Sequence, residues 1–92
     1  MLISVQAGNS DNKLTQQEWS DFVRQLDAIL DAHETARHFF GGSETYAKWQ
    51  NVCFVCEVKA EELESLKESL KDCREFYHQD SVCLLVGKAE FV

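Results

Sequence analysis

The chain has 92 residues, of which 45% are hydrophobic, 27% charged and 11% aromatic, and its 16 acidic against 9 basic side chains leave a net charge of −7. This size fits one domain over residues 1–92 with a single core, and the apolar content excludes a disordered tail or a collagen-like fibre. No apolar run approaches the length of a bilayer span, so no membrane partner is expected, and the acidic balance argues against direct nucleic-acid binding.

Met1 to Gln6 lack the basic flank and long apolar stretch of a signal peptide, so a cytoplasmic location is expected. Cys53, Cys56, Cys73 and Cys83 are then free thiols in a reducing compartment. Residues 1–7 alternate, with Ile3, Val5 and Ala7 on one side and Ser4 and Gln6 on the other, which predicts a half-buried strand. Gly8 to Lys13 is a cluster of turn formers. It lacks the distal glutamate of a calcium loop and the further glycines of a phosphate loop, so an ordinary strand-to-helix connection is expected.

Thr15-Gln16-Gln17-Glu18 fits a capping box, and Trp19, Phe22, Val23, Leu26, Ile29, Leu30 and His33 follow at helical spacing. His33 falls in the last turn, where the helix dipole favours a cation and a capping role. Thr35 to Phe40 reads as a second strand closed by Gly41-Gly42-Ser43. The connection to the next strand is longer than a minimal hairpin and holds Tyr46 and Trp49, residue types enriched at interface hot spots, beside the flexible Gly41 and Gly42. Both aromatics either contact a partner or fold back over the sheet edge.

Asn51 to Val58 is the most continuous β-favouring run, and its length suits a central strand covered on both sides. Alternation puts Val52, Phe54, Cys56 and Val58 on one face and Asn51, Cys53, Val55 and Glu57 on the other. Cys53 and Cys56 have the spacing of zinc and redox pairs, but on a strand they point to opposite faces, so no metal or cofactor is expected. Ala60 to Tyr77 reads as the second helix, with Leu63, Leu66, Leu70, Cys73, Phe76 and Tyr77 as its buried stripe. His78 to Ser81 is a polar turn and Val82 to Val86 a fourth strand. Lys88 to Val92 alternates again and extends that strand or adds a short fifth one.

The order strand, helix, strand, strand, helix, strand resembles the ferredoxin-like α+β architecture: βαββαβ, a four-stranded antiparallel sheet with two helices packed on one face. The resemblance rests on element order alone, and the architecture hosts many functions. Lys48 to Val55 lacks the glycines of an RNA-recognition motif, and Phe54 falls on the core side. Gly8 to Lys13 lacks the anion-binding arginine of acylphosphatase-like enzymes. Dimeric α/β-barrel proteins, which pair open sheet faces, remain compatible.

The face away from the helices then holds Ser4, Gln6, Cys53, Val55, Cys83 and Leu85, with Trp49 nearby. That mixture is apolar enough to mark an interface with another protein or a second copy. The expected function is a non-enzymatic protein-binding module, a small acidic inhibitor or adaptor engaging a basic surface. Its sharper form is a phage- or mobile-element-type anti-defence inhibitor. The alternative is a homodimeric enzyme or small-molecule sensor using His38, His78 and Asp80 as acid-base groups.

Overall fold

A computed structural model of the chain describes residues 1–9, 11–44 and 47–92. It contains β1 (Leu2–Gly8), α1 (Gln16–His33), β2 (Glu34–Gly42), β3 (Asn51–Val58), α2 (Leu63–Phe76) and β4 (Cys83–Gly87), with a 3-10 turn at Ala60–Glu62 leading into α2. The four strands form one antiparallel sheet in the order β2-β3-β1-β4. This is the ferredoxin-like arrangement, with β1 and β3 in the centre.

Alternation sets the core. Ile3 and Val5 of β1, and Val52, Phe54, Cys56 and Val58 of β3, point to the helices and bury with Phe22, Leu26 and Leu30 of α1 and Leu66 and Leu70 of α2. Each such side chain removed from water contributes on the order of 1.5–3 kcal/mol, so this one layer between sheet and helices holds the fold together. The α1 N-terminus is fixed by the expected capping box: the Glu18 amide donates to Thr15 Oγ1 at 3.2 Å, and the Thr15 amide donates to Glu18 Oε1 at 2.9 Å. That backbone hydrogen bond holds the Glu18 carboxyl below its usual range.

The connection from β1 to α1 is pinned by a side chain. Asn9 is buried, accepts from the Leu14 amide at 3.0 Å, and donates to the Leu14 carbonyl at 3.0 Å and to Gln50 Oε1 at 3.1 Å. It therefore replaces the backbone partners that an isolated loop lacks. Gln50 continues the link to α1 by donating to Gln16 Oε1 at 2.9 Å.

α1 runs directly into β2 without a loop, so β2 begins one residue earlier than expected and continues through Gly42. His33 joins the two helical segments, its Nδ1 lying 2.9 Å from Glu62 Oε2, while the Glu34 amide closes the helix on the Leu30 carbonyl. β2 is bulged twice, at Thr35 and at His38, as suits an exposed edge. Arg37, on the core side of β2, hydrogen-bonds Glu34 at 2.9 Å and also Asp27, with its guanidinium 5.3 Å from the Phe54 ring centre. Burial works against its charge, and the hydrogen bonds to Glu34 and Asp27 outweigh that and hold it firmly protonated.

Three expectations are corrected. β3 is covered on one face only, since the helices pack on the Val52, Phe54, Cys56 and Val58 side and leave Cys53 and Val55 on the open one. Phe76 is 75% exposed rather than buried, because Tyr77 takes the inward place at the helix end and packs its ring 5.2 Å from Phe22. Residues 88–92 form no strand: Gly87 already pairs with Leu2, the first residue of β1, so the tail has run past its neighbour. Among the described residues no helix is long and apolar enough to cross a membrane.

Candidate functional site

The sheet face away from the helices carries one unbroken row across all four strands. Phe39 is opposite Val55, Val55 opposite Ser4, and Ser4 opposite Leu85. The two ends of the row are bare, with Phe39 52% and Leu85 54% exposed, while Ser4 and Val55 are half-buried by their neighbours. A second row runs parallel to it: Gly41, Cys53, Gln6 and Cys83.

The polar groups in the middle of this face are linked to one another. Gln6 Nε2 donates to Ser4 Oγ at 3.3 Å, and Ser4 Oγ lies 3.6 Å from Cys53 Sγ. Gln6 is exposed and uses one of its two amide hydrogens in this way, so a partner covering the face would have to meet its second N–H and its carbonyl oxygen. Charge lies at both ends of the face: Glu57 meets the Met1 ammonium at 3.2 Å and His38 Nε2 at 3.5 Å at one, and Asp11 and Asp80 line a cavity of about 520 Å³ with Gln6, Cys53 and Cys83 at the other.

Glu57 is the one carboxylate in the open-face positions of the strands. Six exposed acids lie on the opposite layer: Asp27 and Asp31 on α1, and Glu64, Glu68, Asp72 and Glu75 on α2. The exposed acids of α1 and α2 thus lie on the side opposite the Phe39–Leu85 row, while Glu57, Asp11 and Asp80 stand at the ends of the open face.

Cys53 and Val55 lie on the open face as the strand phase predicts, and Cys56 is buried on the other. Burial, followed by the neighbouring Glu34, pushes the Cys56 thiol up to about 11, and burial pushes Cys73 to about 11, so both are chemically quiet. Among the described residues no group of three or more His, Cys, Asp or Glu side chains is placed to hold a metal ion.

Trp49 stands in the β2–β3 connection, 68% exposed and near the strand end, where Asn51 Nδ2 donates to its carbonyl at 3.5 Å. Tyr46 lies outside the described residues. Gly41 is on the open face beneath the Phe39 ring. Gly42 is a tight backbone crossing, where a Cβ would stand 2.1 Å from the Asn51 carbonyl oxygen.

His38, His78 and Asp80 do not converge. His38 meets Glu57 near the start of β1, whereas Asp80 pairs with Lys13 at 3.2 Å beyond the end of β1. His78 has φ 54° and terminates α2: its amide donates to the Glu75 carbonyl, and the Gln79 amide to the Arg74 carbonyl. Its role is to close the helix end.

A separate groove of about 480 Å³ runs between α1 and β2, walled by Trp19, Val23 and Phe40 and floored by Gly41 and Gly42. Arg24 lies at its margin and makes no ion pair among the described residues.

Phe39 is the site residue that the strand pattern alone misses. Regular alternation puts Arg37 and Phe39 on one face, but the bulge at His38 turns Phe39 outward and leaves Arg37 and Phe40 inward. The sequence signal was the glycine two residues later, which leaves room for an aromatic ring to lie down. Comparison of the chain with protein-family models, curated proteins and solved structures found no match.

Proposed function

We propose that the chain is a non-enzymatic protein-binding module, a small acidic inhibitor or adaptor. What supports this is the segregation of its surface: the Phe39–Val55–Ser4–Leu85 row offers an apolar contact, and the helical layer carries the acids that would draw in a basic partner. The sharper form is a phage- or mobile-element-type inhibitor that occupies a nucleic-acid-binding site on a host defence protein, where a basic surface is to be found.

Affinity capture from cell extract tests it, comparing the native chain with E64K/E68K on the helical layer. A basic protein retained at low salt, released as ionic strength rises and held more weakly by the variant, is the expected result. Equal capture by both chains at every salt concentration overturns the electrostatic reading.

The groove beside β2 favours a second reading, a homodimeric enzyme or small-molecule sensor. Its volume is that of a small-ligand site, and Arg24 at its margin suits a carboxylate on an apolar body. Titration of a W49F variant with dodecanoate, read through Trp19 fluorescence, tests this. A saturable change lost in R24Q supports it, and an unchanged spectrum removes it.

A further inference from the structure

We propose that the free edge of β4 takes up an extended acidic segment of another protein as a fifth strand, whose carboxylates meet a cationic row on α2. This goes beyond the binding-module reading, and it uses a surface on which that reading does not depend.

The two edges of the sheet differ. β2 is bulged twice and carries Glu34, Arg37 and His38, features that keep a foreign strand off. β4 has neither: its register against β1 runs unbroken from Gln6–Cys83 to Leu2–Gly87, and Cys83-Leu84-Leu85-Val86-Gly87 bears no charge. No other strand among the described residues pairs with it, so its outward amides and carbonyls form an open template. Val86 marks the same edge from the inner side. It lies opposite Ile3 on the helix side of the sheet, yet it is 48% exposed where Ile3 is 1% exposed, and an added strand would cover it.

Charge chooses the occupant. At about 100° per residue, Leu66, Leu70 and Cys73 form the buried stripe of α2, Lys67, Lys71 and Arg74 fall on the flank beside it, and the exposed acids lie beyond. That cationic flank is turned to β4, where it lines a groove of about 160 Å³ with Leu70, Val82 and Leu84. A chain of net charge −7 thus places three of its nine basic side chains beside one strand edge. Lys67 and Arg74 touch Glu64 and Glu75 at 3.3 and 3.5 Å in solvent-exposed pairs, which give way readily to a better placed carboxylate. Lys71 makes no ion pair among the described residues.

The same row disfavours a second copy. Antiparallel pairing of β4 with β4 about a twofold sets both α2 helices on one side of the joined sheet, with their cationic rows facing across the axis. An acidic strand brings the opposite sign to that place. Side chains of an added strand alternate, so those toward α2 reach Lys67, Lys71 and Arg74 while those between lie beside Leu85. The segment that fits therefore alternates acidic and aliphatic residues over the five positions of β4.

A short fluorescein-labelled peptide alternating glutamate and valine, titrated by anisotropy against the native chain, tests this. Binding with a dissociation constant on the order of 10–100 μM is expected, weakening as salt rises. K67Q/K71Q should weaken it at least ~5-fold, and a peptide alternating lysine and valine should not bind. Methylating the peptide's backbone nitrogens at every second residue should cost at least ~10-fold in one phase and little in the other, because one set alone donates to β4. Amide exchange should slow in β4 on binding and stay unchanged in β2. E64K/E68K, which tests the basic-partner reading, should bind the peptide at least as tightly, so the two readings stand or fall apart. Circular dichroism and melting check that each variant is folded. No binding, equal binding by folded K67Q/K71Q, indifference to methylation in both phases, or protection on β2 instead overturns the inference. So does a chain that dimerises by itself with its β4 amides protected.

Discussion

The Phe39 ring lies over Gly41 so closely that a Cβ on that glycine would stand 2.6 Å from Phe39 Cζ. Two adjacent glycines on β2 therefore serve different purposes. At Gly41 the obstacle is a half-exposed ring that can swing away, whereas at Gly42 it is the Asn51 carbonyl oxygen in the central strand. G41A should cost less than about 1 kcal/mol in stability, while displacing Phe39 from the open face. G42A should cost at least ~2 kcal/mol, because the backbone of β3 must shift. Urea denaturation of the two variants side by side checks this, and equal losses would contradict the distinction.

His78 adopts φ 54° at the position after the α2 cap, where a side chain is strained and glycine is not. The Gln79 and His78 amides close on Arg74 and Glu75 in the double hydrogen-bond pattern that normally ends on glycine. H78G should therefore stabilise the protein by roughly 1 kcal/mol, seen as a higher urea midpoint with unchanged slope. A lower midpoint would mean that the His78 side chain makes a contribution the helix end does not account for.

Most of the fold was legible because two periodicities and one cap decide it. Ile3/Val5 and Val52/Phe54/Cys56/Val58 alternate, Trp19 through Leu30 follow the helical period, and Thr15–Glu18 marks the start of α1. What was not legible is where a local break overrides the period. The bulge at His38 re-aims Phe39, and the competition between Phe76 and Tyr77 for one inward place is settled by where α2 stops. The candidate site was half visible for the same reason: Cys53 and Val55 lie on a regular strand, and Phe39 does not. Asn9 was hidden differently. Among turn formers, nothing in composition distinguishes the asparagine that plugs the loop from those that face water.

The Asn9 side chain binds both backbone groups of Leu14 and also reaches Gln50. Replacing it with alanine strands the Leu14 amide and carbonyl in a buried setting, where each unmet group costs on the order of 1–3 kcal/mol. N9A should lose about 2–4 kcal/mol and free the β1–α1 connection. Hydrogen exchange at the Leu14 amide gives the specific readout, since it should rise well beyond the change explained by global stability. N9D keeps the acceptor for the Leu14 amide and loses the donor, so it should fall between the native protein and N9A.

The four thiols divide by sheet face. Cys83 is exposed and Cys53 half-buried on the open side, whereas Cys56 and Cys73 are buried and raised to about 11. At pH 8 iodoacetamide should label Cys83 first and Cys53 next, reaching Cys56 and Cys73 only on unfolding. The raised thiols also set a sign for alkaline stability. A thiol whose ordinary value is 9.0 and whose folded value is about 11 favours the folded state fully below 9, and that contribution is lost as pH rises through 11. Stability should therefore decline from pH 9 to pH 11. Tyr77, raised by burial and by nearby Asp21, adds to the decline at the upper end. The double variant C56A/C73A should start from lower stability and show a shallower alkaline slope, leaving mainly the tyrosine contribution. An identical slope in the native chain and the double variant would show that these thiols are not held protonated by the fold.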